Sequence, residues 1–256
     1  DEDFIEHIYV ANMHSVLLFF TDKGVRYCMK VFELPEGSRT SKGRALQNLL
    51  SIEQGDKVRT YLNIPLPKNA DTTKPMYVTL VTKKGIIKKT DLADYTNSRS
   101  FNKGIKAINI REGDELLDAL LTDGGHEMMI AARGGRCCRF DESELRSLGR
   151  GSSGVRGISL DEGDEVIGAL SNNPAAEDAT DRTILVVSEN GYGKRTDVQE
   201  YRKTSRGAKG VKTINITDKT GPLVAIKNVT EDNDLMIITK SGLTIRMAVA
   251  DIRVAG

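Results

Sequence analysis

The chain has no tryptophan, three cysteines in 256 residues, and only 5% aromatic side chains. Cys28, Cys137 and Cys138 are odd in number and two of them are adjacent, which fits neither a disulfide framework nor C-x-x-C metal spacing. They read as small strand residues of a reducing, cytoplasmic protein. No apolar run approaches the ~18 residues that a membrane helix requires, and Asp1-Glu2-Asp3 is not the basic start of a secretory signal. An excess of one charge is missing too, since 37 Lys and Arg stand against 36 Asp and Glu. That balance argues against a polyanionic partner until the positions of the charges are considered. With 39% hydrophobic residues, the chain is too apolar to be disordered throughout.

What is present is a repeat. Five apolar runs end in a polar turn closed by glycine, at Gly24, Gly85, Gly135, Gly191 and Gly242, and a new apolar or basic stretch follows each. Glycine supplies the positive φ of a tight hairpin, so each site predicts two antiparallel strands. The first four turns are followed by a basic, small-residue loop, as in Ser98-Arg99-Ser100-Phe101-Asn102-Lys103-Gly104 and Ser205-Arg206-Gly207-Ala208-Lys209-Gly210. These loops lead into short stretches of period two, such as Ile105 to Ile110 and Val211 to Ile216. Gly55-Asp56, Gly113-Asp114 and Gly163-Asp164 then close three of the units.

About four short strands per roughly 50 residues is the arithmetic of a propeller blade. The expected fold is therefore all-β, a propeller-like array of four-stranded blades. Five repeats are visible, at about 1–56, 57–114, 115–164, 165–220 and 221–256, in a single domain whose last repeat is incomplete and whose intact form would hold six. Helix signals are weak, with one or two turns at most over 143–148. Insertions at Pro65 to Pro75 and Asn172 to Asp181 read as surface loops.

The charge follows the repeat. Residues 23–44, 83–106, 133–156 and 194–212 together carry 26 basic and 9 acidic side chains, a net +17, and the remainder carries −16. Repeats in a fixed orientation turn this polarity into a charged rim, suited to a polyanion. The candidate contacts are Arg39, Lys42, Arg44, Lys88, Lys89, Arg99, Lys103, Lys106, Arg139, Arg150, Arg156, Lys194, Arg195, Arg202, Lys203, Arg206, Lys209 and Lys212. Small residues beside these cations would let backbone N–H groups approach phosphates. Scarce aromatics argue against stacking of single strands and favour duplex. Bending ~40 base pairs through half a turn costs on the order of 10 kcal/mol, so several blades must act together.

Other motifs carry less. Gly149-Arg150-Gly151-Ser152-Ser153-Gly154 matches G-x-G-x-x-G but lacks a following helix and a βαβ context. His7, His14 and His126 form no metal-ligand pattern. Tyr192 follows a turn glycine, in a slot that holds Val25, Ile86, Arg136 and Leu243 elsewhere, so it reads as a structural position and not a nucleophile. The expectation is a chain without catalytic residues, metal or cofactor.

Val10-Ala11-Asn12-Met13-His14, Lys30-Val31-Phe32-Glu33-Leu34-Pro35-Glu36, Gly154-Val155-Arg156-Gly157-Ile158, Asn190-Gly191-Tyr192-Gly193-Lys194-Arg195-Thr196 and Lys203 to Val211 resemble the C-terminal domain of DNA gyrase A over essentially the whole chain. The resemblance implies a β-pinwheel whose rim wraps duplex DNA with positive handedness, supporting negative supercoiling by an ATP-dependent type II topoisomerase. It also implies the rest of gyrase A and the gyrase B protein as partners, and an isolated domain that is monomeric. The family's Gln-Arg-Arg-Gly-Gly-Lys-Gly box is absent and would fall before Asp1. The loops ending at Gly43, Gly104, Gly154 and Gly210 are looser versions of it, so reduced wrapping is expected. The topoisomerase IV paralogue and a propeller that recruits proteins stand as alternatives.

Overall fold

The computed structural model describes residues 11–43, 46–65, 74–96, 99, 101 and 103–255. Each predicted glycine turn is a β-hairpin. The five are β1 (Ser15–Thr21) with β2 (Val25–Lys30), β4 (Tyr77–Thr82) with β5 (Ile86–Asp91), β8 (Glu127–Ala132) with β9 (Arg136–Asp141), β12 (Thr183–Ser188) with β13 (Gly193–Asp197), and β16 (Asp234–Ile238) with β17 (Thr244–Ala248). All five turn glycines have φ between +82° and +95°. The remaining strands are β3 (Val58–Pro65), β6 (Ile105–Lys106), β7 (Leu116–Thr122), β10 (Val155–Arg156), β11 (Val166–Asn172), β14 (Val211–Lys212) and β15 (Leu223–Val229).

They assemble into antiparallel sheets ordered β3-β1-β2-β6, β10-β5-β4-β7 and β11-β8-β9-β14, then β13-β12-β15 and β16-β17. The fold is thus all-β, as expected. The composition of each sheet is less simple than the sequence units suggest. A two-residue strand from further along the chain forms the outer edge of each of the first three sheets: Val25 pairs with Lys106, Ile86 with Arg156, and Arg136 with Lys212. The strand that follows each of the second, third and fourth basic loops therefore belongs to the sheet before it.

The exchange explains the second role of the turn glycines. Carbonyl oxygens of Gly24, Gly85 and Gly135 accept N–H bonds from Ala107, Gly157 and Thr213 at 2.7–2.8 Å. A Cβ at Gly24 would meet Ile108 at 2.8 Å, one at Gly85 would meet Ile158 at 2.9 Å, and one at Gly135 would meet the Ile214 carbonyl at 2.7 Å. Glycine is needed both for the turn and for the approach of the next loop.

Apolar side chains fill the spaces between sheets. One core joins Leu18, Phe20 and Cys28 to Val78, Leu80 and Ile108; another joins Val81 and Ile87 to Ile130, Phe140 and Ile158; a third joins Met129 and Cys137 to Ile184, Val186 and Ile226. Strands β3, β7, β11 and β15 pack on one another in that order. The three cysteines are free, buried in β2 and β9, and burial lifts the Cys28 thiol to about 12. The helical content differs from expectation. The 142–144 segment is a single 3-10 turn, and a short α-helix, α1 (Leu46–Leu50), places Leu50 in a core with Leu17, Phe19 and Tyr27. Its five residues are too few for a periodic pattern to announce them.

Candidate nucleic-acid interface

The strand exchange builds a basic ridge. In β6, β10 and β14 the first residue is half-buried and the second exposed, so Lys106, Arg156 and Lys212 face solvent at equivalent places in successive sheets. Arg150 Nη1 donates to the Lys106 carbonyl at 3.2 Å, and Arg206 Nη1 donates to the Arg156 carbonyl at 2.7 Å. Arg150 and Arg206 thus rest on the backbone of the preceding edge strand. Arg39, Lys42, Arg99, Lys103 and Arg202 are exposed, and Lys194 is half-buried. Arg44 lies outside the described residues.

The loops are themselves held by cations donating to main-chain oxygens. Arg26 Nη1 reaches the Lys103 carbonyl at 3.4 Å, Arg111 Nη2 the Gly154 carbonyl at 3.3 Å, and Arg136 Nη1 the Gly210 carbonyl at 3.1 Å. Gly154 packs where a Cβ would stand 2.5 Å from the Ile87 carbonyl, and a Cβ at Gly210 would collide with the Cys137 carbonyl. These two glycines therefore serve close contact with the neighbouring strand, a different purpose from the phosphate approach expected of small loop residues.

Four candidates are corrected by burial. Lys88 and Lys89 are 0% and 6% exposed, and Arg139 and Arg195 are 5% and 2% exposed, so none of them offers its charge to a ligand. Lys88 Nζ donates to the carbonyls of Ala107 and Arg150, both at 2.6 Å, and of Ser152 at 3.4 Å. Burial, with the nearby Arg150 charge adding to it, pulls this ammonium down to about 8. Lys89 meets Glu142 at 3.5 Å and lies 4.6 Å from the centre of the Tyr77 ring. Arg139 forms a bidentate pair with Glu127 at 2.9 and 3.0 Å and donates to the Tyr201 carbonyl at 2.8 Å. Arg195 donates to Thr183 Oγ1 at 2.7 Å and to the Ile252 carbonyl at 3.0 Å. At Gly85, Gly135 and Gly191 the basic residue four places on is a bolt to the next unit, reaching Glu142, Tyr201 or Ile252 in or beside a 3-10 turn (Glu142–Glu144, Val198–Glu200 and Val249–Asp251). Arg246 of the fifth hairpin is instead exposed and pairs with Asp234 on its own partner strand.

Two more candidates are exposed but engaged. Lys203 sits 2.9 Å from both Glu127 and Asp141, and these carboxylates hold its pKa above the usual lysine value. Lys209 pairs with Asp161 at 3.1 Å. The structure adds Lys84 and Arg111, which share a solvent-open cavity of about 820 Å³ with Arg156 and Arg206. Both lie inside turns, Lys83-Lys84-Gly85 and Arg111-Glu112-Gly113-Asp114, whose glycine chemistry masks the use of the side chains.

The Gly-Asp turns are structural. Asp114 Oδ1 accepts the N–H groups of Lys84 and Glu115, and Asp164 Oδ1 those of Gly134 and Glu165, at 2.8–3.0 Å. Tyr192 is partly exposed with the Lys219 ammonium 5.4 Å from its ring centre. His126 is paired with Asp123 at 3.4 Å. Among the described residues, no group of three or more His, Cys, Asp or Glu could hold a metal ion, and no helix is long and apolar enough to cross a membrane.

Comparison with known proteins adds three findings. The family model described as the DNA gyrase C-terminal domain, β-propeller, matches residues 15–60, 77–123, 126–173, 182–230 and 233–256. The DNA gyrase A protein of Staphylococcus epidermidis is 41% identical over 252 residues, 98% of this chain and 27% of that protein; that of Haloquadratum walsbyi is 37% identical over the whole chain and 29% of its own length. The chain thus spans about a quarter to a third of these relatives. Among solved structures, the C-terminal domain of a DNA topoisomerase IV superposes with a TM-score of 0.81 at 27% identity, covering 95% of this chain and 72% of that one. A DNA gyrase A C-terminal domain gives 0.75 at 24% identity, covering 96% and 76%, which speaks for the fold.

Proposed function

Because this chain belongs to the DNA gyrase A C-terminal domain family, we propose that it binds duplex DNA along the basic ridge, without reading sequence, and bends it. The observation that carries this reading is the recurrence of an exposed cation at Lys106, Arg156 and Lys212, each on the edge strand of a successive sheet. Cations at repeated spacing neutralise phosphates along a path, and neutralisation along a curved path favours the bend. The contacts go to phosphates because the donors are long side chains on exposed edge strands, with few aromatics to insert or stack. In the parent protein the domain would act with the rest of gyrase A and with gyrase B in the cytoplasm, presenting bent DNA for supercoiling. The domain itself contributes neither a nucleophile nor a cofactor. Alone it is expected to be a monomer.

The test is ligation of nicked circular plasmid with increasing amounts of the chain, followed by protein removal and gel analysis of linking number. A positive shift supports chiral wrapping. The burial of Lys88, Lys89, Arg139 and Arg195, which leaves fewer cations on the rim than the sequence counts, favours a second reading, a rim that holds duplex without wrapping it. That reading requires an unchanged linking number on plasmid that is demonstrably bound.

A further inference from the structure

The three exchanged sheets differ in one notch of the rim. It lies beside the residue just before each turn glycine and the residue two places before each Gly-Asp turn glycine. In the first sheet these are Lys23 and Glu53, and Lys23 is occupied by Asp56 at 3.0 Å. At the third sheet they are Gly134 and Asp161, and Asp161 is occupied by Lys209 at 3.1 Å. At the second sheet they are Lys84 and Arg111, and both are cations. Arg156 and Arg206 line the same cavity, and among the described residues none of the four is ion-paired with a carboxylate.

The notch is preorganised for an oxyanion. Arg111 and Arg206 are each fixed by one N–H bond to a carbonyl oxygen, which leaves most of the five N–H donors of each guanidinium open. Ile86, Ile158 and Leu160 form the apolar part of the cavity wall. Two carboxylates also line it. Asp114 is committed through Oδ1 to the N–H groups of Lys84 and Glu115, while Glu112 is exposed. The balance remains positive. A guanidinium fork matches the geometry of a phosphate, and a second cation beside it adds charge without demanding a fixed direction.

We propose that this notch seats one phosphate of the duplex backbone more firmly than the rest of the rim, and so sets the register in which the DNA crosses the second sheet. The proposal rests on the duplex-binding reading. It predicts an asymmetric interface in a repeat protein, with one anchor and a series of looser contacts.

The experiment compares the full chain with Arg111→Asp and with Lys84→Glu in duplex binding by fluorescence anisotropy across a salt series, and in hydroxyl-radical footprinting. Either variant should lower affinity about tenfold or more, as expected for loss of a charge-assisted bond. Each should also flatten the log–log salt slope by about 0.9, one phosphate's worth. Protection should fade at one phased position and persist elsewhere. Should Arg111→Asp disturb the loop it anchors, Lys84→Glu carries the test, because the Lys84 ammonium makes no hydrogen bond or ion pair among the described residues. Unchanged affinity and footprint in folded Lys84→Glu would overturn the proposal. A phosphorus NMR titration with inorganic phosphate separates the sources: millimolar phosphate binding lost in the variants, with duplex binding unchanged, would make the notch a small-anion site and also overturn the duplex seat. If the unmodified chain fails to bind duplex, the functional reading fails with it; if duplex binds and only the notch variants are silent, the notch alone is wrong.

Discussion

The strands that follow the turn glycines and the two-residue strands that flank the first three of them are both basic, yet their cations have opposite fates. Lys89, Arg139 and Arg195 are buried and reach a carboxylate or carbonyls of the neighbouring unit, Arg139 also pairing with Glu127 of its own hairpin, whereas Lys106, Arg156 and Lys212 are exposed. The difference is one of register. A side chain directed at the next sheet has a carboxylate or 3-10 turn to meet, and one on the edge strand has solvent. Charge counted along a repeat therefore mixes bolts that join sheets with contacts that face a ligand.

The contrast breaks first at a bolt. Replacing Arg139 by Met leaves Glu127, which is 13% exposed, with one fewer partner in a poorly hydrated place. The loss should be about 3–5 kcal/mol, read as a fall in thermal midpoint of roughly 10 °C. Duplex affinity of the remaining folded protein should not change.

The next effect concerns Lys88, a buried cation beneath the loop that carries Arg150. Its folded-state pKa near 8 lies below the ordinary lysine value of 10.5, so the unfolded chain binds more protons between those values. Stability should accordingly rise as pH increases from about 8 to 10.5, by roughly 3 kcal/mol from this group. Denaturant melts at about pH 7.5 and about pH 9.5 measure it, and Lys88→Met should abolish that part of the gain.

A smaller cost attaches to the close approach of loop and sheet. Gly154→Ala would force a methyl against the Ile87 carbonyl at a φ of +89°, at an expected cost of about 2 kcal/mol. A denaturation midpoint within error of the parent would contradict the packing described. The smallest stability effect belongs to the ridge. Replacing Lys106, Arg156 and Lys212 together by Ala should change stability by no more than about 0.5 kcal/mol per site, because no described hydrogen bond or ion pair of these side chains is lost. The same variant should flatten the salt slope of duplex binding by up to about 2.7. A large loss of stability with an unchanged slope would reverse the roles assigned to the two strands.

The hairpins were legible because a glycine of positive φ is a local requirement, visible at Gly24, Gly85, Gly135, Gly191 and Gly242 without knowledge of the rest. The cysteines were legible as strand residues for a similar reason. The pairing of Val25 with Lys106 was not, since a two-residue strand has no period and its partner lies far away in sequence. That gap also hid the fate of Lys88, Lys89, Arg139 and Arg195, whose burial depends on segments of the following unit. The notch at Lys84 and Arg111 escaped because each residue sits in a turn explained by its glycine. Only the neighbouring carboxylates at Glu53 and Asp161 make Arg111 unusual.

Strand exchange also sets an order of events during synthesis. Arg26 meets the Lys103 carbonyl across 77 residues, so the first sheet cannot gain its edge until most of the second unit has been made. At ~5–20 residues per second, this is a wait of roughly 4–15 s with the edge of β2 exposed. Each of the first three sheets remains open until the following unit arrives, and the array closes along the chain like a zip that runs one tooth behind the ribosome.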